Sequence, residues 1–519
     1  MTTSSESVTG TTGARARVHT VNGNALWTYS ADTMLAYLMM KSVSPMDLAE
    51  ASLTRIAEVN PVVNAVVESY GDEALRTANK IRRSRRRGRR LNGIPVTIKD
   101  NIEQQGHVMS EGVRALRDNV CKIDAPLVSK LKDNGAIIVG RTNCPPHCWQ
   151  LFSSNELYGT TTNPRNPQMT PGGSSGGAAV SVATGMVPIA QGNDIAGSIR
   201  YPAYANGIVG LRPTNGSIPG SDTSPMDKSF TFQLFASQGV LARTVSDAFL
   251  GYEAMRGYSP ADPASHDCDT AYVNKPHMVV GIYLGTDIVD PQEGPQRAVI
   301  HAARALDAQG WGIEFISTDV FRRLLELEEL LVFGEFFHSS PDAIAEGGEI
   351  LRRGLKGPKV VLEDLHGSGY ELTLDDYIAG LSRRGSVVRD LRRLMDRYPV
   401  ILTPASAEPP FLQDEDQTAS MQRAREMTYA TWPMQTVPVA GLPAIVLPTD
   451  VIVENIPLGV QLITRVHDER TLHTVARDLE RYFDLDSSPV DPPTSHGRSS
   501  ASSGAGYNAE TWPSRPSRP

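Results

Sequence analysis

The sequence predicts an α/β protein whose central sheet is covered by helices on both sides. Three observations carry this. Short apolar runs recur at 94–98, 136–139, 187–190, 278–284, 313–316, 400–402, 444–447 and 458–463, and none alternates polar with apolar residues as a half-buried strand does. Helical patterns fall between them, as at 468–482, where Leu472, Val475, Leu479 and Tyr482 share one face. Strand and helix therefore alternate along the chain, as in a sheet buried between layers. Burial on both faces is the habit of parallel strands, so the runs read as parallel.

Residues 1–25 are rich in Ser, Thr and Gly without periodicity and read as a flexible arm. A helix is predicted to start at Ser44. Ser44 is a good N-cap, Pro45 suits the first helical position and Asp47 favours the first turn. Leu48, Leu53, Ile56 and Val59 supply its apolar face. The polar segment 69–80 continues as a second helix and ends in RRSRRRGRR (82–90). That run suggests an anionic surface, but Gly88 interrupts it, and a solvated loop before the next strand is the simpler reading. The strand at 94–98 follows. Further on, 295–308 reads as a helix ending near Gly310. The stretch 487–519 holds nine Ser and six Pro and reads as a disordered tail.

Composition narrows the function. The chain has 519 residues, a length that alone suggests three or four domains at roughly 150 residues each. Its net charge of −8 makes nucleic acid an unexpected partner. No apolar run approaches a membrane span, and the first 25 residues lack the apolar stretch of a signal peptide. Four cysteines do not make a disulfide framework, so a cytoplasmic location is expected.

Three segments bear chemistry. GIPVTIKDNI (93–102) puts Lys99 at the end of a buried strand, an unusual place for that side chain. A lysine serving as a base has to be held where its charge is poorly solvated; a lysine whose tip reaches solvent is the bland alternative. TPGGSSGGAAVSVATG (170–185) surrounds Ser174 and Ser175 with four glycines. It lacks the Lys-Ser/Thr pair of a phosphate loop. It holds G-x-S-x-G spacing around each serine, but loop sequence rather than a strand leads into it, which argues against a nucleophile elbow. QGNDIAGSIRYPA (191–203) sets Ser198 behind small residues whose N–H groups are open, the layout of a nucleophile beside an oxyanion hole. A turn held by Asp194 and Ser198 is the alternative.

Together these strings resemble the amidase signature family. The blocks SPMDLAEASLTRIAEVNPVVNAVV (44–67), LYGTTTNPRNP (157–167), GIVGLRPTNGSIP (207–219), VPVAGLPAIVLP (437–448) and IPLGVQLIT (456–464) extend the likeness over roughly 26–484. The resemblance implies a single three-layer α/β/α domain around a large mixed sheet, here 26–486. It implies Ser198 as nucleophile, Ser174 as a bridging serine in a cis peptide, and Lys99 as the base. The N–H groups of Ile195, Ala196, Gly197 and Ser198 are the implied oxyanion hole. The implied reaction cleaves a small amide through an acyl-enzyme, without metal or organic cofactor. A biosynthetic acyl-transfer enzyme, an inactive scaffold member and an amidotransferase subunit remain alternatives. A homodimer is an allowed assembly.

The pocket is less defined. Cys144-Pro-Pro-His-Cys148 offers zinc-type ligands without a fourth, and the resemblance instead puts Cys144, His147 and Cys148 near the substrate; Gly173 and Trp432 are further pocket candidates. Ala196 stands where the family often has glycine, which narrows the approach to Ser198. Asp194 and Arg200 are expected to hold the loop. Phe333, Phe336, Phe337 and Met434 are pocket candidates whose spacing equally suits a core.

Overall fold

The computed structural model describes residues 20–84, 88–220, 229–267, 278–485 and 487–493. Eleven strands form one sheet: β1 (Val66–Ser69), β2 (Pro95–Lys99), β3 (Ile137–Thr142), β4 (Ile189–Asp194), β5 (Val209–Arg212), β6 (Ser237–Ala242), β7 (Val279–Ile282), β8 (Gly312–Phe315), β9 (Val400–Pro404), β10 (Ala444–Val453) and β11 (Ile456–Thr464). Across the sheet they run β8-β7-β9-β11-β10-β5-β6-β4-β2-β3-β1. All eight apolar runs fall on strands. The expectation of parallel pairing holds for β8/β7, β7/β9, β4/β2 and β2/β3. It fails for the other neighbours, which are antiparallel, so the sheet is mixed, as the family resemblance implies. The reason is burial. β2, β3, β4, β5, β6 and β9 are buried along their whole length, and burial on both faces removes alternation whichever way a strand runs.

Helices cover both faces. α1 (Pro45–Val63) starts in the predicted capping box: Asp47 N–H donates to Ser44 Oγ and Ser44 N–H to Asp47 Oδ2. α2 (Gly71–Arg83) carries the first arginines of the basic run, and 85–87 lie outside the described residues. α3 (Gly176–Ala183) and α4 (Arg200–Asn206) pack on each other and on the middle strands. α5 (Val245–Met255), α6 (Glu293–Ala308) and α11 (Glu469–Phe483) form a second layer; α5 meets β6 from the face that α3 leaves open. One hydrophobic cluster fills both sheet faces. A second lies beneath the helices of 320–440, among them α7 (Lys356–His366), α8 (Leu374–Arg397), α9 (Met421–Ala430) and α10 (Trp432–Ala440).

The described residues of the two predicted flexible ends make contacts with the body of the protein or with each other. Thr20–Val21 pairs with Asn24–Ala25 as a hairpin. Val490 N–H donates to Ala183 O at 2.8 Å, and Asp491 meets Arg55 at 2.5 Å. Residues 1–19 and 494–519 lie outside the described residues.

Candidate active site

Strand pairing places the chemistry. β2 and β4 are adjacent and parallel, with Val96 opposite Ile189 and Thr97 opposite Ala190. Their carboxyl ends, Lys99 and Asn193-Asp194, therefore leave the sheet at the same edge. Lys99 is fully buried. Its Nζ lies 2.6 Å from Ser174 Oγ and donates to Asn193 Oδ1 at 2.7 Å. Both partners are neutral. Lys99 N–H donates to Gln191 Oε1 at 3.1 Å, which pins the strand end. Asp100 points the other way. Its carboxylate accepts from Ser110 and lies 3.6 Å from Arg141, and burial raises its carboxyl to about 6.

Ser174 sits in the glycine loop before α3, and its peptide bond to Gly173 is cis. Gly173 is required by space, since a Cβ there would stand 2.1 Å from Phe152 O. Ser175 N–H donates to Ser198 O at 3.1 Å, tying this loop to the one after β4. Ser174 and Ser198 line the same cavity. Among the described residues no hydrogen bond joins their hydroxyls directly.

The loop carrying Ser198 is held by a buried charge cluster. Asp194 meets Arg200 Nε at 2.8 Å and Arg212 Nε at 3.7 Å. Burial opposes the charge of Asp194, but the Arg200 charge and hydrogen bond outweigh it, with help from Arg212 and Gly197 N–H, and hold its carboxyl below the ordinary range. Arg200 also donates to Met434 O at 2.5 Å and to Gln461 Oε1 at 2.6 Å, fixing the loop to α10 and β11. The expected loop-holding role of Asp194 and Arg200 is what the geometry has. One oxyanion expectation changes. Gly197 N–H is already engaged, donating to Asp194 Oδ1 at 2.8 Å. The N–H groups of Ile195, Ala196 and Ser198 have no acceptor among the described residues. Gly197 has φ +110°, and a Cβ on it would strike Met434 Cβ at 2.4 Å.

Two cavities meet at Ser198. The more polar, about 1150 Å³, is lined by Ser174, Asn193, Glu111, His147 and Cys148 among others. The more apolar, about 730 Å³, is walled by Trp149, Phe152, Phe333, Phe411 and Met427, with Asp416 among its few polar groups. Cys148, Trp149 and Ile195 belong to both. Burial pushes the Asp416 carboxyl up to about 7, with the Asp414 charge adding to it.

The five pocket residues divide. His147 and Cys148 line the cavities. The His147 ring turns to Glu111 (2.9 Å) and Glu346 (3.3 Å). Burial disfavours its charge, yet the Glu111 hydrogen bond and the nearby carboxylates raise its pKa. No three His, Cys, Asp or Glu side chains converge as metal ligands among the described residues. Burial also opposes a Cys148 thiolate, but a hydrogen bond from Cys144 and the Lys99 charge lower its pKa. Cys144 is fully buried behind it, and neither Cys144 nor Gly173 lines a cavity. Trp432 is a correction. It is fully buried in the second core cluster, edge-on to Tyr283 and Phe321, because the first residue of α10 points beneath the helices and away from the cavities. Of the aromatic candidates Phe333 and Phe336 reach a cavity, Phe337 packs at the edge of the core and Met434 backs Gly197.

Sequence reasoning missed Asn193, Trp149, Phe152, Phe411 and Asp416. A signal existed for Asn193. Gln191 and Asn193 are polar at alternate positions of a buried strand, which marks one polar face. The others come from loops and short helices with no pattern to follow.

Residues 47–472 match the Amidase family model. An indoleacetamide hydrolase of Bradyrhizobium diazoefficiens is 32% identical over 466 residues, spanning 87% of this chain and 86% of that protein. A glutamyl-tRNA(Gln) amidotransferase subunit from Carboxydothermus hydrogenoformans is 29% identical over 499 residues, 88% of this chain and 97% of that one. The crystal structure of a bacterial aryl acylamidase shares the fold, with a TM-score of 0.75 at 23% identity over 90% of this chain and 99% of that one. With a family model spanning most of its length and an amide hydrolase matched nearly end to end, this chain is an amide-hydrolysing enzyme and belongs to the amidase signature family.

Proposed function

We propose that the protein hydrolyses the carbon–nitrogen bond of a small or medium-sized neutral amide through an acyl-enzyme on Ser198, with Ser174 and Lys99 as its proton relay. The observation that carries this is the 2.6 Å contact between buried Lys99 Nζ and Ser174 Oγ, in a cavity that Ser198 also lines. A serine hydroxyl is a weak nucleophile until a base takes its proton. Ser198 Oγ attacks the carbonyl carbon as its proton passes to Ser174, and the proton of Ser174 passes to Lys99. Asn193 holds the amine in line. The oxyanion meets the N–H groups of Ile195, Ala196 and Ser198, with Gly197 spent on shaping the loop; one such donor is typically worth ~10²–10³ in rate. Collapse breaks the C–N bond, and the relay returns a proton to the departing nitrogen. Water then attacks the ester by the same route, releasing the acid.

The aromatic walls support an apolar acyl group. They disfavour the glutamine that an amidotransferase subunit hydrolyses, because its charged α-groups would lose water against carbon.

The test needs no natural substrate. The protein is treated with a small fluorophosphonate, and the added mass is located by peptide mapping. Label is expected on Ser198, with labelling at least about 100-fold slower in Ser174→Ala and Lys99→Ala. Ammonia release from a panel of primary amides should follow the same order. Label on Ser174 or Ser175 would overturn the assignment, as would an unlabelled protein that cleaves no amide.

A further inference from the structure

Two thiols beside the active site take no part in the proposed hydrolysis. Cys144, Pro145, Pro146, His147 and Cys148 form a tight turn just after β3, in which Cys148 N–H donates to Pro145 O at 3.0 Å and His147 N–H to Glu111 O at 2.9 Å. His147 and Cys148 both hold left-handed backbone, with φ of +48° and +62°, which residues other than glycine adopt rarely. The turn brings Cys148 back to Cys144, and the Cys144 S–H donates to the Cys148 sulfur. The two differ in their surroundings. Cys144 is fully buried, and its carbonyl is pinned by Asn155 Nδ2 at 2.7 Å. Cys148 is partly exposed and lines both of the cavities that meet at Ser198. Burial works against a Cys148 thiolate, but the Cys144 hydrogen bond and the Lys99 charge favour it and lower its pKa. The same hydrogen bond, with burial, keeps Cys144 a thiol.

The thiolate is the nucleophilic form of cysteine, and thiols that respond to oxidants are accessible and stand next to a second, resolving cysteine. We infer that Cys148 is a modification site for a hydroperoxide, that Cys144 resolves it into a disulfide within the turn, and that this disulfide reversibly shuts the active site. The Cys148 thiolate attacks one peroxide oxygen. The O–O bond breaks, Cys148 becomes a sulfenic acid, and the other oxygen takes a proton from solvent and leaves as water or an alcohol. The Cys144 sulfur then attacks the sulfenic sulfur. The S–S bond forms as the S–O bond breaks, and the hydroxyl leaves as water with the Cys144 proton. The two sulfurs together lose two electrons and one peroxide gains them. Closing two non-bonded sulfurs to the roughly 2.05 Å of a disulfide takes a shift of about 1 Å or more. Cys144 is anchored, so Cys148 moves, and with it Trp149, which stacks on Phe336 at 3.8 Å and also lines both cavities. Both cavities therefore change shape where they meet Ser198. The oxidation itself does not depend on the hydrolase reading; its effect at Ser198 does.

The probe is hydrogen peroxide. The full-length protein is treated with it, digested with trypsin and mapped by mass. Peptide 142–165 carries Cys144 and Cys148 and no other cysteine. It is expected to become lighter by two hydrogens and to regain them with dithiothreitol. Fluorophosphonate labelling of Ser198 should fall by at least about tenfold in the oxidised protein and recover on reduction. Cys144→Ser should stop at the sulfenic acid, which dimedone traps on Cys148, and Cys148→Ser should be oxidised in this peptide at least about tenfold more slowly than wild type. Cys121, whose thiol burial pushes up, is the internal control and should stay reduced. A peptide 142–165 unchanged by peroxide, or oxidised no faster than Cys121, overturns the inference. A reversible disulfide that leaves Ser198 labelling intact overturns its link to the active site. A reduced protein that does not label removes the hydrolase reading, and the mass of 142–165 still decides the disulfide. The wild-type map decides the chemistry even where a variant fails to fold.

Discussion

Lys99 was legible because it breaks a rule that buried strands obey. Its meaning was not legible, because that depends on what stands within 3 Å of its amine. The sequence motif brought Ser174 and Ser198 forward, whereas Asn193, the second partner of Nζ, needed the register of β4 beside β2. Replacing Asn193 by Ala should leave the fold intact and lower kcat by about 10–100-fold with little change in KM, since the amine loses its alignment and not its substrate. Steady-state kinetics beside a thermal melt checks this; an unchanged kcat would reduce Asn193 to packing. Gly197 makes the complementary case. At φ +110° against Met434 an alanine is strained twice over, and the variant should lose about 1–3 kcal/mol of stability. Because that loop presents the N–H groups of Ala196 and Ser198, fluorophosphonate labelling should also slow by at least about tenfold. Normal labelling in a destabilised variant would separate the loop's fold from its chemistry.

Elements were read best where the signal is local. The start of α1 follows from Ser44, Pro45 and Asp47 alone, and the structure has the reciprocal bonds that this triplet implies. Ser44→Ala should therefore cost about 1 kcal/mol, read as a lower urea midpoint with an unchanged slope; an unmoved midpoint would mean that tertiary packing alone holds the helix end. Strand direction was misread because apolar runs report burial and carry no information about which way a neighbour points. β1, β5 and β6 escaped notice for a related reason. VVES, VGLR and SQGVLA mix polar or glycine residues into short strands, and their pairing with β3, β10 and β4 comes from distant parts of the chain.

Folding also buries carboxyls whose partners do not fully offset the loss of water. Asp247 accepts from the N–H groups of Ala31 (2.8 Å) and Asp32 (3.1 Å), joining α5 to the start of the helix Ala31–Met39, and burial raises its carboxyl to about 6. Asp100 is raised to about 6 and Asp416 to about 7 by the same cause. A folded pKa above the unfolded value means that the native state holds more protons between about pH 4 and 6, so this contribution to stability is full in acid and lost as pH rises. Asp247→Asn removes one such proton. Urea unfolding across pH 4–7 should show wild type losing stability relative to the variant by up to ~1.4 kcal/mol per pH unit between about pH 4 and 6. A constant difference would mean that Asp247 is ionised in the native protein throughout.

Local chemistry was within reach of the sequence alone: the alternation of helix and strand, the cap of α1, and the three segments whose residue types suit a serine acyl-transfer site. Each depends on neighbours in the chain, or on a motif compact enough to be seen whole. The tertiary structure alone decided which strand pairs with which and in which direction, the diversion of Gly197 N–H to Asp194, and the retreat of Trp432 into the core. Those depend on groups far apart in sequence that meet only when strands and helices pack. A residue's type says what it can bond, and its neighbours in space decide what it does bond.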